Sequence, residues 1–163
     1  MTQARETLKM VIRPANTQDV DSLQRACWPE QPLGKVATLL QRAEKLRRGH
    51  RGLAVVATRE GTVYGFGMLT LWPRAAEISD LIVHARYRGQ GVGTAIIQFL
   101  TAAAQDLNAS MVEIGVALSN VRALALYRRL GFHDHRTIQL DLGGGPEPVL
   151  YLEKELSAQH SHA

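Results

Sequence analysis

The sequence predicts an α+β domain in which a mixed, mostly antiparallel sheet of about seven strands packs against four helices. Three features predict it. The middle of the chain has three β-rich runs. These are followed by a unit made of a strand, a glycine-rich turn, a helix and a second strand, and the chain closes with two further β-rich runs. Strands joined by short turns are antiparallel, whereas a strand, crossover helix and strand form a parallel pair, so the fourth and fifth strands should be parallel.

Length and composition exclude several classes of protein. The 163 residues suit one domain, and 45% hydrophobic and 21% charged residues argue against disorder or a fibrous repeat. No apolar run approaches the ~20 residues of a membrane span, and the N-terminus has no apolar signal core. The single cysteine, Cys27, excludes an internal disulfide. We therefore expect a cytoplasmic protein without a membrane partner.

The first element is a short strand at residues 9–14, which ends at its proline. Asn16 or Thr17 can cap the helix that follows, because their side chains accept hydrogen bonds from a first helical turn. The apolar stripe of this helix is Val20, Leu23 and Cys27. On that stripe, Cys27 is expected to pack in the core rather than act as a nucleophile.

A second amphipathic helix begins after a proline-containing break at residues 28–32 and ends at Gly49. Its polar face carries the densest basic cluster of the chain, which is Arg42, Lys45, Arg47, Arg48 and Arg51. Such a run is typical of a solvated helix face. The net charge of the chain is +4, and its other basic residues are scattered along the sequence with no aromatic residues between them. A nucleic-acid partner is therefore not expected.

Three antiparallel strands follow, at residues 53–58, 63–72 and 76–84, with Gly61 supplying positive φ in the first turn. A glycine-rich turn then leads into an amphipathic helix at residues 92–107. Glycines let the backbone take positive φ and let a ligand approach the main chain, while the first turn of a helix offers unpaired N–H groups. The turn is therefore predicted to bind phosphate.

The range of possible phosphate ligands is limited by the residues that this turn lacks. A Walker A loop ends in Gly-Lys-Ser/Thr, but Gly93 is followed by Thr94 and Ala95. A Rossmann fingerprint needs a third small residue where Thr94 or Ile96 stands, although Glu113 lies at about the required 20 residues further on. A dinucleotide-binding oxidoreductase therefore stays open, as does a non-catalytic basic RNA- or ribosome-binding module.

The rest of the chain completes the sheet. Residues 112–118 alternate as a strand, and a helix capped by Asn120 follows. Residues 137–142 and 149–154 form a closing hairpin. One domain is expected over residues 1–156, and residues 157–163 are expected to form a disordered tail whose two histidines, His160 and His162, are a weak metal pattern. No metal site is expected.

Two segments resemble motifs of the GCN5-related N-acetyltransferases, the GNAT family. Arg88-x-x-Gly91-x-Gly93 is similar to its Q/R-x-x-G-x-G/A signature, whose amides hold the pyrophosphate of acetyl-coenzyme A. Residues 120–132 are similar to its N-x-x-A-x-x-x-Y-x-x-x-G-F segment, which also meets the cofactor. The order of elements matches the family from end to end, which implies an α/β/α-layered GNAT fold with a splay between the fourth and fifth strands.

The resemblance implies an acyltransferase in which a primary amine of a small molecule, peptide or protein attacks the thioester of acetyl-CoA directly. Acetyl-CoA and the amine acceptor are then the partners, CoA is the product, and a homodimer is left open. The residues expected to bind the cofactor are Leu81, Ile82, Val83, Arg88, Gly89, Gln90, Gly91, Val92, Gly93, Thr94, Asn120 and Tyr127.

Four residues are expected to take part in the chemistry. The Val83 N–H is placed to polarise the thioester carbonyl, and Tyr127 occupies the family's general-acid position. Glu77 and Asp80 are candidates for the base, with Glu77 slightly preferred. Because alternate strand residues face opposite sides, Glu77 should share a face with Leu81 and Val83, unless a bulge interrupts the strand.

The acceptor is expected to be chosen by residues 28–51 and by the loop at residues 72–74. If the basic cluster of the second helix faces the cleft, it favours a neutral or acidic amine, or an acidic peptide, over a polycationic aminoglycoside. Within that cluster, reversal of Arg47 and Arg48 is expected to weaken acceptor binding.

Overall fold

The computed structural model describes residues 9–157, where the chain forms four α-helices and one seven-stranded sheet. The helices are α1 Val20–Cys27, α2 Leu33–Arg48, α3 Val92–Asp106 and α4 Val121–Arg129. The strands are β1 Met10–Pro14, β2 Gly52–Arg59, β3 Thr62–Leu71, β4 Ala76–Val83, β5 Met111–Ala117, β6 His133–Asp141 and β7 Pro146–Glu155. The predicted fold class is confirmed. Residues 158–163 of the predicted tail, including both histidines, lie outside the described residues.

The order of strands across the sheet is β1-β2-β3-β4-β5-β7-β6. Within the described range, β4 and β5 are the parallel neighbours, as the strand-helix-strand pattern predicts, and they pair only from Ala76 to Ile78. Beyond this point β4 stays with β3 as far as Val83, whereas β5 stays with β7 as far as Ala117. The two strands therefore diverge, and a gap opens between their C-terminal ends.

An apolar cluster lies on each face of the sheet. On one face, Ile96 and Leu100 of α3 pack on β2, β3 and β4. On the other face, α1 and α2 cover Phe66 and Met68 of β3. Cys27 belongs to this second cluster, and burial raises the pKa of its thiol to about 11. Its thiolate is therefore scarce at neutral pH, which agrees with the packing role predicted for it.

Helix α3 lies close to the sheet because β3 has no side chains at two positions beneath it. A Cβ on Gly65 would lie 3.1 Å from both Val92 Cγ1 and Ile96 Cδ1, and a Cβ on Gly67 would lie 2.6 Å from Ile96 Cγ2. These two glycines therefore set the separation of helix and sheet. They hold the N-terminus of α3 beside the end of β4.

Strand β4 contains a β-bulge, in which Asp80 and Leu81 lie opposite the single residue Gly67 of β3. Pairing is regular on either side, at Ser79 and at Ile82. Asp80 has a φ of 54°, in the left-handed region that aspartate enters more readily than most residues with a side chain. The bulge changes the direction of every side chain that follows it.

The bulge corrects one expectation from the sequence. Ala76 and Ile78 face the α3 side before it, whereas Leu81 and Val83 face that side after it. Glu77 therefore points to the opposite face of the sheet from Leu81 and Val83. The prediction that these residues share a face is wrong, because the inserted residue shifts the alternation by one.

The close approach of α3 makes a stability prediction. Replacing Gly67 with alanine should lower the free energy of unfolding by ~1–3 kcal/mol, because the new methyl group overlaps Ile96 in a packed core. Gly34→Ala is the control, since a Cβ there meets nothing within 4 Å, and it should be neutral or slightly stabilising. Urea unfolding measures both variants. Equal stability of the two proteins would contradict the packing argument.

Candidate functional site

A cleft occupies the α3 side of the sheet where β4 and β5 diverge, with a cavity volume of about 600 Å³. Of the twelve residues predicted to bind a cofactor, eleven line this cleft, and they are Leu81, Ile82, Val83, Arg88, Gly89, Gly91, Val92, Gly93, Thr94, Asn120 and Tyr127. The exception is Gln90, whose side-chain amide donates to the Arg86 carbonyl at 3.3 Å. The two sequence motifs thus meet in one cavity.

Sequence reasoning missed five residues that line the cleft, which are Tyr87, Arg122, Ala123, Leu126 and Arg129. Four of these belong to α4, on the side that also carries Tyr127. A helical projection of the second motif could have found them. Tyr87 has no comparable signal, because it precedes the glycine turn in a short 3₁₀ helix and packs at a tilt against Tyr64, with ring centroids 4.9 Å apart.

The glycine turn supplies main-chain donors to the cleft. Gly89 and Gly91 have φ values of 73° and 83°, and a Cβ on Gly91 would meet nothing within 4 Å. Gly93 instead lies within the first turn of α3, where the nearest atom to an added Cβ is Leu126 Cδ2 at 3.9 Å. No acidic residue stands in that turn, and the first helical hydrogen bond runs from the Ala95 N–H to the Gly91 carbonyl. The preceding N–H groups and the positive helix end suit an anion.

The side chains of the cleft are also electropositive. Arg88, Arg122 and Arg129 line it, and no carboxylate is among its described lining residues. The side chain of Arg88 reaches across the gap, where Nε donates to the Val83 carbonyl at 3.1 Å. Such a field attracts a ligand that carries several negative charges.

Val83 presents its main chain to the gap. The next residue, His84, donates its N–H to the Tyr64 carbonyl of β3 at 2.8 Å. Because N–H groups alternate in direction along a strand, the N–H and carbonyl of Val83 point away from β3 and toward the space that β5 has left. The donor predicted for a thioester carbonyl therefore points in the required direction.

Tyr127 lies at the inner wall of the cleft and is 7% exposed. Burial raises the pKa of its phenol to about 12. The hydroxyl therefore stays protonated through the whole neutral range and can donate a hydrogen bond to a group that becomes negatively charged in the cleft.

The structure separates the two candidate base residues, and neither of them lines the cleft. Glu77 accepts a hydrogen bond from the Trp72 indole at 3.2 Å, on the sheet face that α1 and α2 leave open. Asp80 projects from the bulge into a cavity of about 330 Å³ between α2 and β4, which we call the α2 cavity. At ~3.3 Å per residue, Asp80 is ~10 Å from Val83 along the strand and Glu77 is ~20 Å from it.

No group of three His, Cys, Asp or Glu side chains between residues 9 and 157 could hold a metal ion. Within the same range, no helix has the length and apolar character needed to cross a membrane.

A model of the acetyltransferase (GNAT) family matches residues 17–132. The chain belongs to this family. An uncharacterised N-acetyltransferase of Mycobacterium bovis is 31% identical over 115 residues, which are 70% of this chain and 73% of that protein. The resemblance seen in the two motifs is thereby confirmed. The oxidoreductase and RNA-binding alternatives gain no support from the family.

Other relatives match over shorter segments. This chain spans 28% of the length of an uncharacterised N-acetyltransferase of Methanocaldococcus jannaschii, at 34% identity. It spans 42% of a thialysine N-epsilon-acetyltransferase of Bos taurus, at 36% identity over 72 residues, or 44% of this chain.

Solved structures agree with the fold. The Salmonella typhimurium protein yncA, determined with its cofactor acetyl-CoA, aligns with a TM-score of 0.75 at 16% identity and covers 95% of this chain and 98% of that one. The ribosomal-protein-S18-alanine N-acetyltransferase of Escherichia coli aligns with a TM-score of 0.74 at 19% identity and covers 95% and 99%.

Proposed function

We propose that this protein is an N-acetyltransferase that binds acetyl-CoA in the cleft between β4 and β5 and transfers its acetyl group to a primary amine. The observation that carries the proposal is the convergence of main-chain donors, three arginines, the Val83 edge and Tyr127 on one cavity at a gap in the sheet. Family membership supplies the reaction class. The positions of the residues in the cleft support the individual roles proposed below.

The charged end of the cofactor binds at the glycine turn. Its pyrophosphate accepts hydrogen bonds from the N–H groups of residues 89–94, and Arg88, Arg122 and Arg129 offset its charge. The amide groups of the pantetheine arm extend along Leu81 to Val83 and take the place of the strand partner that β5 does not provide. This arm directs the thioester into the gap.

The acceptor amine must lose a proton before it attacks. An alkyl amine with a pKa of ~10.4 is only about 1 part in 10³ neutral at pH 7, a handicap of ~4–5 kcal/mol. Each carboxylate accepts one hydrogen bond, Asp80 from the Ser79 hydroxyl at 3.1 Å and Glu77 from the Trp72 indole at 3.2 Å. Asp80 is better placed than Glu77 to remove this proton because it is closer to Val83 along the strand. The structure thus supports Asp80, rather than Glu77, as the base.

The neutral nitrogen then attacks the carbonyl carbon while the Val83 N–H stabilises the developing oxyanion. As the C–S bond breaks, the phenol of Tyr127 donates a hydrogen bond to the leaving sulfur. Full transfer from a phenol of pKa about 12 to a thiolate of pKa ~8.5 is uphill by about 5 kcal/mol. After the attack, the amine nitrogen loses its second proton. This loss balances the proton that finally stays on the sulfur of CoA.

Gly93→Asp tests the phosphate site. The variant should fold, since an added Cβ has room, but its carboxylate repels the pyrophosphate, so affinity for acetyl-CoA should fall by at least about 100-fold. Gly144→Asp adds the same charge to the β6–β7 loop, in open space, and should bind acetyl-CoA normally. Isothermal titration calorimetry gives both Kd values. Unchanged affinity in the Gly93 variant would place the pyrophosphate elsewhere.

Tyr127→Phe tests the leaving-group role. Loss of one hydrogen-bond donor to a developing charge should lower kcat by ~10²–10³ while the Kd of acetyl-CoA stays the same. Because the pKa of Tyr127 is about 12, the pH profile of the unmodified enzyme should show no loss of activity from this residue below pH 10. Tyr151→Phe removes a phenol outside the cleft and is the control. Equal kcat in the Tyr127 and Tyr151 variants would assign Tyr127 to packing alone.

Asp80→Asn and Glu77→Gln form a matched pair that tests the base. Each variant removes one charge and keeps the shape of the side chain. The Asp80 variant should lose ~10²–10⁴ in kcat/KM for an alkyl amine, whereas the Glu77 variant should keep most of its activity. Release of CoA measures both. The opposite ranking would return the role to Glu77 and refute the argument from distance.

A further inference from the structure

The α2 cavity lies on the opposite face of β4 from the cofactor cleft. Its volume of about 330 Å³ is at the lower end of the range for small-molecule sites. One wall is a stripe of α2, another is Trp28 after α1, and the floor is the β4 bulge that carries Asp80. Asp80 lies two residues beyond Ile78, the last β4 residue that pairs with β5, so the cavity adjoins the part of β4 that β5 has left.

Two cations of α2 face this cavity. Lys35 and Arg42 both line it, and they stand two helical turns apart, at a separation of ~10 Å along the helix. The side chain of neither residue has a hydrogen bond or ion pair with another residue in the described part of the chain. Arg47 and Arg48, by contrast, pair with Glu44 at 2.8 and 3.3 Å and do not line the cavity. Of the basic cluster predicted from the sequence, Arg42 therefore lines this cavity, whereas Arg47 and Arg48 do not.

The cavity thus presents two uncommitted cations and one carboxylate. The Asp80 carboxylate attracts an ammonium group, and the two cations attract an anion. A diamine has the wrong charges for this arrangement, because its second ammonium group would approach Lys35 and Arg42. A simple alkyl amine leaves both cations without a partner.

The open sheet face around Glu77 does not offer a comparable site. Its carboxylates already have partners, since Glu113 lies 3.8 Å from Arg136 and Glu153 lies 3.4 Å from His135. Glu77 itself accepts the Trp72 hydrogen bond. The three carboxylates of that face thus have hydrogen-bonding or charged neighbours, whereas the side chains of Lys35 and Arg42 in the α2 cavity have no such partner in the described part of the chain.

We infer that the acceptor is an amine that carries an anionic group, either carboxylate or phosphate, and that it binds in the α2 cavity with its ammonium at Asp80 and its anion at Lys35 and Arg42. This inference rests on the proposed acetyl transfer. It extends that proposal by naming the class of acceptor and the residues that select it.

The test compares four primary amines of similar length: 4-aminobutyrate, 3-aminopropyl phosphate, butylamine and 1,4-diaminobutane. Release of CoA should give a kcat/KM for at least one anionic amine about tenfold or more above that of butylamine, with the diamine lowest. Comparison of the first two amines shows whether carboxylate or phosphate is preferred. An equal rate for all four, or the highest rate for the diamine, would overturn the inference.

A pair of double variants assigns the preference to the cavity. Lys35→Glu with Arg42→Glu should abolish the preference for the anionic amine, so that its kcat/KM falls to or below that of butylamine measured with the same variant. Lys45→Glu with Arg48→Glu makes the same change of charge on the same helix, outside the cavity, and should keep the preference. Equal effects of the two double variants would refute the assignment.

Calorimetry with acetyl-CoA separates this inference from the proposed function. If acetyl-CoA binds but none of the four amines is acetylated, the acceptor class is wrong and the cofactor site still stands. If acetyl-CoA does not bind the unmodified protein, the proposed function itself fails. If the anionic amine is acetylated fastest and the diamine slowest, both the proposed function and the inferred class of acceptor are supported.

Discussion

The short pairing of β4 with β5 is the constraint on which the rest of the site depends. The two strands share only the segment from Ala76 to Ile78, and each is then held by its other neighbour, β3 or β7. Main-chain groups at the edges of the gap lack a strand partner, and a buried group left unpaired costs ~1–3 kcal/mol. The gap cannot close without breaking pairs elsewhere, so a ligand with its own amide groups is the natural partner for these edges.

The position of α3 depends on β3 rather than on the loop before the helix. Gly65 and Gly67 leave no room for a Cβ beneath Val92 and Ile96, so the first turn of α3 is fixed by core packing. The N-terminus of α3, where we propose the phosphate site, is thus held in place by the hydrophobic cluster. Glycine within a strand normally weakens it, which explains why these two positions look unfavourable in the sequence yet are required in the fold.

Local patterns were sufficient for much of this fold. Strand and helix periodicity predicted the elements, and both motifs could be placed because each is contained in one strand-helix junction. The bulge at Asp80 could not be located, since it depends on pairing with β3. The start of β6 was also missed, because residues 133–136 are polar and exposed, and they are held by partners distant in sequence, such as Glu153 for His135. The sequence also could not show that β7, rather than β6, pairs with β5, because the hydrophobic pattern of the two strands is compatible with either order.

The bulge and the gap together place two cavities on opposite faces of one strand. Arginines line the cavity on the α3 face, where we propose the cofactor, and Lys35, Arg42 and Asp80 line the cavity on the α2 face, where we propose the acceptor. In the proposed complex the anion of the acceptor lies against α2, whereas the pyrophosphate lies at the glycine turn beyond Val83, so β4 separates the two anionic ligands. Helix α2 then selects the acceptor by charge while the glycine turn and α4 retain the cofactor.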